Sequence, residues 1–290
     1  MSNPSTVARA VRNLRDGAAT LPFFGYLAVF LFLPTVIVIL GAFRTRDGVF
    51  TLEPMSRLLQ PATLQIFLTT SWLSLASALI GAVVGGAAAY ALSLTSITST
   101  TRRVFTAVCS VLAQFGGVML AFSFIAVLGK NGNLTRLLAD AFHVVIPGDF
   151  LASVPGLIVV YSYFQIPLMV IVFLPAVDGL RVEWRDATAN LGGSSLTYWA
   201  RVAAPILAPS FLGCLLLLFA NAFSAYATAA ALISQRNIIV PMAIEGAIRN
   251  ENNAGMDAYA QALATGMILV VALVMGGYTL IQRRASRWHR

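Results

Sequence analysis

Asp186, Ala187 and Thr188, followed by Gly192 and then by Val202, Ala203, Ala204 and Pro205, are the residues of this chain best placed to do chemistry. The chemistry they suggest is recognition, not bond breaking. The chain's two histidines, His143 and His289, fall in a loop and at the tail, away from any set that would activate a nucleophile. Residues 183–191 favour helix, with Asp186 in the first turns, where the helix dipole favours a carboxylate. Gly192 and Gly193 end that helix, because glycine takes the left-handed conformation cheaply. Ser194 or Ser195 then caps a second short helix over 196–203, and Pro205 marks entry to the apolar run beyond. On the first helix Ala187, Asn190 and Leu191 share a face by their three- and four-residue spacing. Small residues with one leucine suit insertion into a groove on another protein; the alternative is a hairpin lying on lipid headgroups.

A second polar set lies inside otherwise apolar runs: Tyr161, Tyr163 and Gln165, then Asn221, Ser224 and Tyr226. Polar groups facing lipid are costly. They either line a path for a weakly held, transient solute or hydrogen-bond between helices. Cys109 and Cys214 sit in apolar runs without a Cys-x-x-Cys or Cys/His pattern, so neither a metal site nor a redox motif is indicated. No phosphate-binding Gly-x-x-x-x-Gly-Lys-Ser/Thr loop occurs. Gly129-Lys130 is followed by Asn131 and lacks the preceding glycine, so any ATP must be hydrolysed elsewhere.

The elements that position these residues are membrane helices. Of the 290 residues 58% are hydrophobic and 10% charged, with mean hydropathy +0.82, whereas soluble domains carry about 25% charged residues. Six runs reach the roughly 20 apolar residues that a bilayer crossing requires: about 21–43, 64–94, 104–128, 151–175, 205–233 and 259–281. None contains Asp, Glu, Lys or Arg, which argues against a proton-coupled carrier with an intramembrane relay. A retained first span, and not a cleaved signal peptide, is expected. With six spans both termini share one side. That side holds Arg9, Arg12, Arg15, Arg102, Arg103, Arg181, Arg185, Arg201, Arg283, Arg284, Arg287 and Arg290, against Asp16, Asp178, Glu183 and Asp186. Its net charge is therefore the whole +8 of the chain, and the opposite side is neutral. The positive-inside rule places both termini and the 183–205 loop in the cytoplasm. The basic excess shows no stripe with interleaved aromatics, so nucleic acid is not an expected partner. Ser77, Gly81, Gly85 and Ala89 form a small-residue stripe for close helix packing. Gly116-Gly117, Pro167 and Pro175 are expected sites of bending or termination.

The spacing of the polar loop resembles the signature of ABC importer permeases: Glu-Ala-Ala, three residues, Gly, nine residues, Ile-x-Leu-Pro. The gaps match here, with Asp186 for Glu, Thr188 for the second Ala, Val202 for Ile and Ala204 for Leu. The resemblance covers about residues 64–281. It implies an all-α, six-span, type I permease fold, with a cytoplasmic segment 1–20, an added first helix and outer loop over 21–63, a core over 64–281 and a basic tail over 282–290. It further implies a coupling helix made by Asp186, Ala187, Thr188, Asn190, Leu191, Gly192 and Pro205, docked into an ATPase subunit. The chain would be non-catalytic and bind no cofactor, with ATP and Mg on two partner ATPases. A second homologous permease and an extracytoplasmic substrate-binding protein would complete the assembly, in a bacterial or archaeal cytoplasmic membrane. Outer segments 129–150, with Leu134, Leu137, Leu138 and Phe142 at amphipathic spacing, and 234–258 would meet the binding protein. The stretches 116–124 and 226–241 look more like the polyamine, thiamine, iron or phosphonate branch than a sugar permease. The substrate expected is a small polar solute such as a polyamine, the alternatives being a permease for a sugar or other solute, an ion-coupled carrier, or a membrane scaffold or enzyme.

Overall fold

A computed structural model describes residues 21–44, 49–143, 146–233, 239–249 and 255–287. The expected N-terminal segment 1–20, the last tail residues 288–290 and residues 234–238 and 250–254 of the expected 234–258 outer segment lie outside the described residues. The described chain is helical apart from an isolated bridge between Arg44 and Phe50. Its long elements are α1 (Leu21–Gly41), α2 (Pro61–Ser93), α3 (Thr100–Gln114), α4 (Gly117–Leu128), α5 (Asn133–Phe142) and α6 (Val154–Asp178). They continue as α7 (Val182–Asn190), α8 (Ser195–Ser224), α9 (Ala227–Leu232), α10 (Val240–Arg249) and α11 (Met256–Arg287). Six stretches among the described residues are long and apolar enough to cross a membrane.

The chain divides into two compact units. The smaller contains α1 with the loop that follows it and residues 247–267. Most residues of α1 are exposed and none is buried, as suits a helix solvated by lipid, whose backbone polar groups are satisfied within the helix. A π-helical turn interrupts it at Ala28–Phe32. Gly41 leaves no room for a side chain: a Cβ there would overlap the Gln261 side-chain oxygen.

The larger unit, residues 61–246 and 268–290, is built on α2 against α6. Ser77 and Ala89 are fully buried, and Gly81 and Gly85 share their face. A Cβ on Gly81 would approach Gln165 Cβ to 2.6 Å, and one on Gly85 would meet the Ile166 carbonyl oxygen at 2.5 Å. The stripe therefore serves close backbone approach. α8 packs on both helices, with Leu218 and Phe223 fully buried. Tyr278, on the part of α11 within this unit, donates from its hydroxyl to the Pro209 carbonyl at 2.6 Å.

Two expected spans are not continuous helices. The third, 104–128, breaks at Phe115 and Gly116 and restarts at Gly117, whose φ of +69° is one that glycine adopts without strain. The Gly116-Gly117 pair thus acts as a terminator. The fifth, 205–233, ends at Ser224 and restarts at Ala227, although no glycine or proline stands there. At its other end it extends back to Ser195: the second short helix expected over 196–203 merges into α8 through a π-helical turn at Trp199–Ala203. Pro205, in the first turn after that π segment, is absorbed without a break. Pro167 and Pro175 likewise lie inside the unbroken α6 and terminate nothing.

Candidate functional site

The hairpin formed by α7 and the start of α8 is closed by backbone chemistry. The Gly193 amide donates to the Thr188 carbonyl at 2.9 Å, and the Gly192 amide to Ala189 at 2.9 Å. With Gly192 at φ +76°, these are the paired bonds of a Schellman cap, which satisfy carbonyls that a helix end leaves free. Glycine at 192 supplies the left-handed backbone, while glycine at 193 supplies space. Nothing lies within 4 Å of a Cβ on Gly192, whereas one on Gly193 would meet Thr188 Cγ2 at 2.7 Å and its carbonyl oxygen at 2.9 Å. In the sequence both glycines have one role, ending the helix, and the structure separates the two roles. Thr188 is half-buried and donates from its hydroxyl to the Trp184 carbonyl at 2.8 Å. The second helix is capped by Ser194, whose hydroxyl oxygen accepts from the Thr197 amide at 3.3 Å.

The cap holds an exposed surface. Asp186, Ala187, Asn190 and Leu191 are all exposed, as are Gly192 and Pro205. Leu191 is 88% and Leu196 79% exposed, far from the burial that leucine favours. Asp186 is in the middle of α7, and Glu183 occupies the first turn. The helix dipole acts within one turn, so Asp186 is positioned for its outward charge and gains little from the dipole.

Where α7 leaves the membrane-facing helices, Arg102 of α3 forms an ion pair with Asp178 at the end of α6 and also donates to the Thr95 carbonyl at 3.5 Å. Arg102 is buried. No motif flagged this pair, because its members are 76 residues apart.

The intramembrane polar residues separate into two groups. Tyr161 is fully buried, and its hydroxyl donates to the Ala225 carbonyl at 2.7 Å. Ala225 is the residue at which the fifth span breaks, so Tyr161 satisfies a carbonyl that the interrupted helix leaves free, a group costly to orphan in a membrane. Gln165, also fully buried, donates to the Leu218 carbonyl at 2.7 Å. Its side-chain oxygen has no protein partner. In this conformation both residues make the helix–helix bonds that were the alternative to a solute path. Asn221 and Ser224, by contrast, are exposed, and Tyr163 and Tyr226 half-buried. Tyr163 meets Phe124 of α4 edge to face at 5.7 Å. The two restarting helices lie side by side, since a Cβ on Gly117 would sit 3.6 Å from Ala227 Cβ. Among the described residues no group of three or more His, Cys, Asp or Glu could hold a metal ion.

No family model matches the chain. The spermidine/putrescine transport system permease protein PotB of Escherichia coli strain K12 is 24% identical over 269 residues, covering 91% of this chain and 94% of that protein. A bacterial ABC transporter involved in import of the acidic polysaccharide alginate contains a chain that superposes with TM-score 0.72 at 15% identity, covering 98% of this chain and 99% of that one. The chain has the fold of a type I ABC importer permease. A chain of the MetNI methionine ABC transporter, in inward-facing form, matches 78% of this permease at TM-score 0.53 and 12% identity, and 99% of its own length. The permease is accordingly a multi-pass membrane protein, like bacterial inner-membrane permeases, and belongs to a class of subunit that is typically non-catalytic.

Proposed function

We propose that the permease forms half of a translocation pathway for a small polar solute, a polyamine, and couples to a separate ATPase through the 182–205 hairpin. The observation that carries this reading is the capped hairpin itself: a rigid turn presenting Asp186, Asn190 and Leu191 outward. An exposed leucine beside a carboxylate and small residues suits a groove with an apolar floor and a cationic rim. The twelve-to-four charge asymmetry supports a cytoplasmic location for the hairpin and both termini. A topology reporter fused at Gly193 is expected to read inside and one at Gly132 outside; the reverse would remove the hairpin from the ATPase compartment. Two partner ATPases carrying ATP and Mg, a second homologous permease and an extracytoplasmic binding protein complete the proposed assembly. The alginate importer has been solved in complex with a periplasmic protein carrying an alginate pentasaccharide, which supports the last of these by fold likeness.

The broken helices supply the proposed path. Interrupted membrane helices whose ends meet are a recurrent way to build a substrate route, and Asn221, Ser224, Tyr226 and Tyr163 lie at or near the breaks. Neutral amide, hydroxyl and aromatic faces suit a cation in transit, held weakly by cation–π attraction. Tyr161 and Gln165 act behind them by fixing the break. Polyamine as the solute rests on the full-length similarity to PotB. Cells expressing the complete transporter are expected to accumulate labelled spermidine, with putrescine competing and maltose inert. Accumulation blocked by a sugar and not by polyamines would assign a different substrate.

A further inference from the structure

The hairpin stands over a cavity of about 260 Å³ that the coupling role does not use. Its polar wall carries Arg102, Asp178, Arg181, Arg185, Ser195 and Tyr198. Arg102 and Asp178 neutralise each other. Arg181 stacks over the Trp184 ring at 6.0 Å, and neither it nor Arg185 has a carboxylate partner among the described residues. The wall therefore presents two uncompensated guanidinium groups. It lies where α2 and α6 end and α8 begins, the level of a membrane surface.

A second cavity of about 430 Å³ adjoins the first, with Tyr90, Val177 and Trp199 lining both. At the junction Tyr90 and Trp199 meet edge to face at 4.7 Å, the amphipathic aromatics typical of a membrane interface. Beyond them the groove is walled by Gly86, Phe173, Leu207, Ala208 and Phe211, with no charged residue. From Trp199 to Phe211 it follows about 18 Å of helix. A cationic cavity at the surface, set beside an apolar groove inside the bilayer with an aromatic pair between them, has the polarity profile of one amphipathic molecule.

We infer that this pair of cavities binds an anionic phospholipid, its headgroup phosphate against Arg181 and Arg185 and one acyl chain in the groove. Basic pockets between helices at a membrane surface recognise such headgroups. Charge complementarity selects this occupant over a neutral lipid, and the adjoining apolar groove selects it over a soluble anion. The occupant touches α7 and α8 together, so it would steady the base of the hairpin.

The test is native mass spectrometry of the full chain, purified in neutral detergent and titrated with phosphatidylglycerol or phosphatidylcholine. Phosphatidylglycerol is expected to be retained at least tenfold better. Arg181→Gln combined with Arg185→Gln should lower that retention roughly 30-fold, from the worth of about two surface cations, while Arg181→Lys with Arg185→Lys preserves most of it. Ala208→Trp, which fills the groove without touching the cations, should lower it about tenfold by excluding two methylenes. Excess inorganic phosphate should displace nothing. Equal retention of the two lipids, an unchanged preference in the Gln pair, retention unaffected by Ala208→Trp, or displacement by phosphate would each overturn the assignment. The last would leave a soluble-anion site, and an unaffected groove variant would point to a packing surface for another helix.

Discussion

Gly192→Val is expected to lower both ATPase co-purification and transport by at least tenfold while the chain still accumulates in the membrane. The reason is local. At φ +76° the backbone is left-handed, and the open space around Gly192 means that a side chain meets no steric wall. The whole penalty is conformational, about 1–3 kcal/mol for a β-branched residue. The α7 helix has no buried residue and so nothing of its own to resist that strain. A shift of that size opens the Schellman cap and misaims Asp186 and Leu191. Gly192→Asn should restore most function, because asparagine visits this region routinely. Asp186→Lys provides the complementary case. An exposed surface change alters stability by no more than about 0.5 kcal/mol, so its expected loss of co-purified ATPase would report docking and not folding. If Gly192→Val and Asp186→Lys both hold the ATPase and transport normally, the hairpin is an interfacial element lying on lipid.

The second large effect is expected from Gly85→Val, and here the membrane fold itself fails. The nearest obstacles to a Cβ are the Ile166 carbonyl oxygen at 2.5 Å and Met169 Cβ at 2.6 Å. Neither is the free end of a flexible chain, so α2 and α6 must separate. Overpacking of this kind costs about 1–3 kcal/mol and more where backbone is the obstacle. Accumulation of extractable, monodisperse protein should fall several-fold, as destabilisation of that size does in cells. Gly276, with nothing within 4 Å, provides the control: Gly276→Ala should leave yield and thermal stability unchanged. A Gly85→Val protein as stable as the wild type would mean that the stripe is not an interface.

Four of the six spans, the small-residue stripe and the break at Gly116 were legible because each depends on residue type within a few positions. The hairpin was legible for the same reason: Gly192 and Ser194 each impose one local geometry. What escaped was built by distant contacts. The break at Ala225 follows no glycine or proline. Its free carbonyl is satisfied by Tyr161, 64 residues earlier, and only the fold reveals that partnership. Tyr161 and Tyr163 are equivalent as sequence, yet the first is locked into the core and the second half-open. Gly193 reads in the sequence only as a second helix terminator beside Gly192, and it takes the position of Thr188 to show that its missing side chain matters. The Arg102–Asp178 pair was likewise invisible, although both residues had been assigned to the same side of the membrane.

We predict that the permease moves its solute only when an ATPase drives it. The direct measurement is spermidine uptake by proteoliposomes holding the purified chain, its second permease and its binding protein, with and without the ATPase. With ATPase and ATP on the hairpin side, uptake is predicted to be ATP-dependent and to vanish with Gly192→Val. Without the ATPase, neither ATP nor a proton gradient should drive any. Uptake driven by a proton gradient through this chain alone would contradict that ATPase dependence outright.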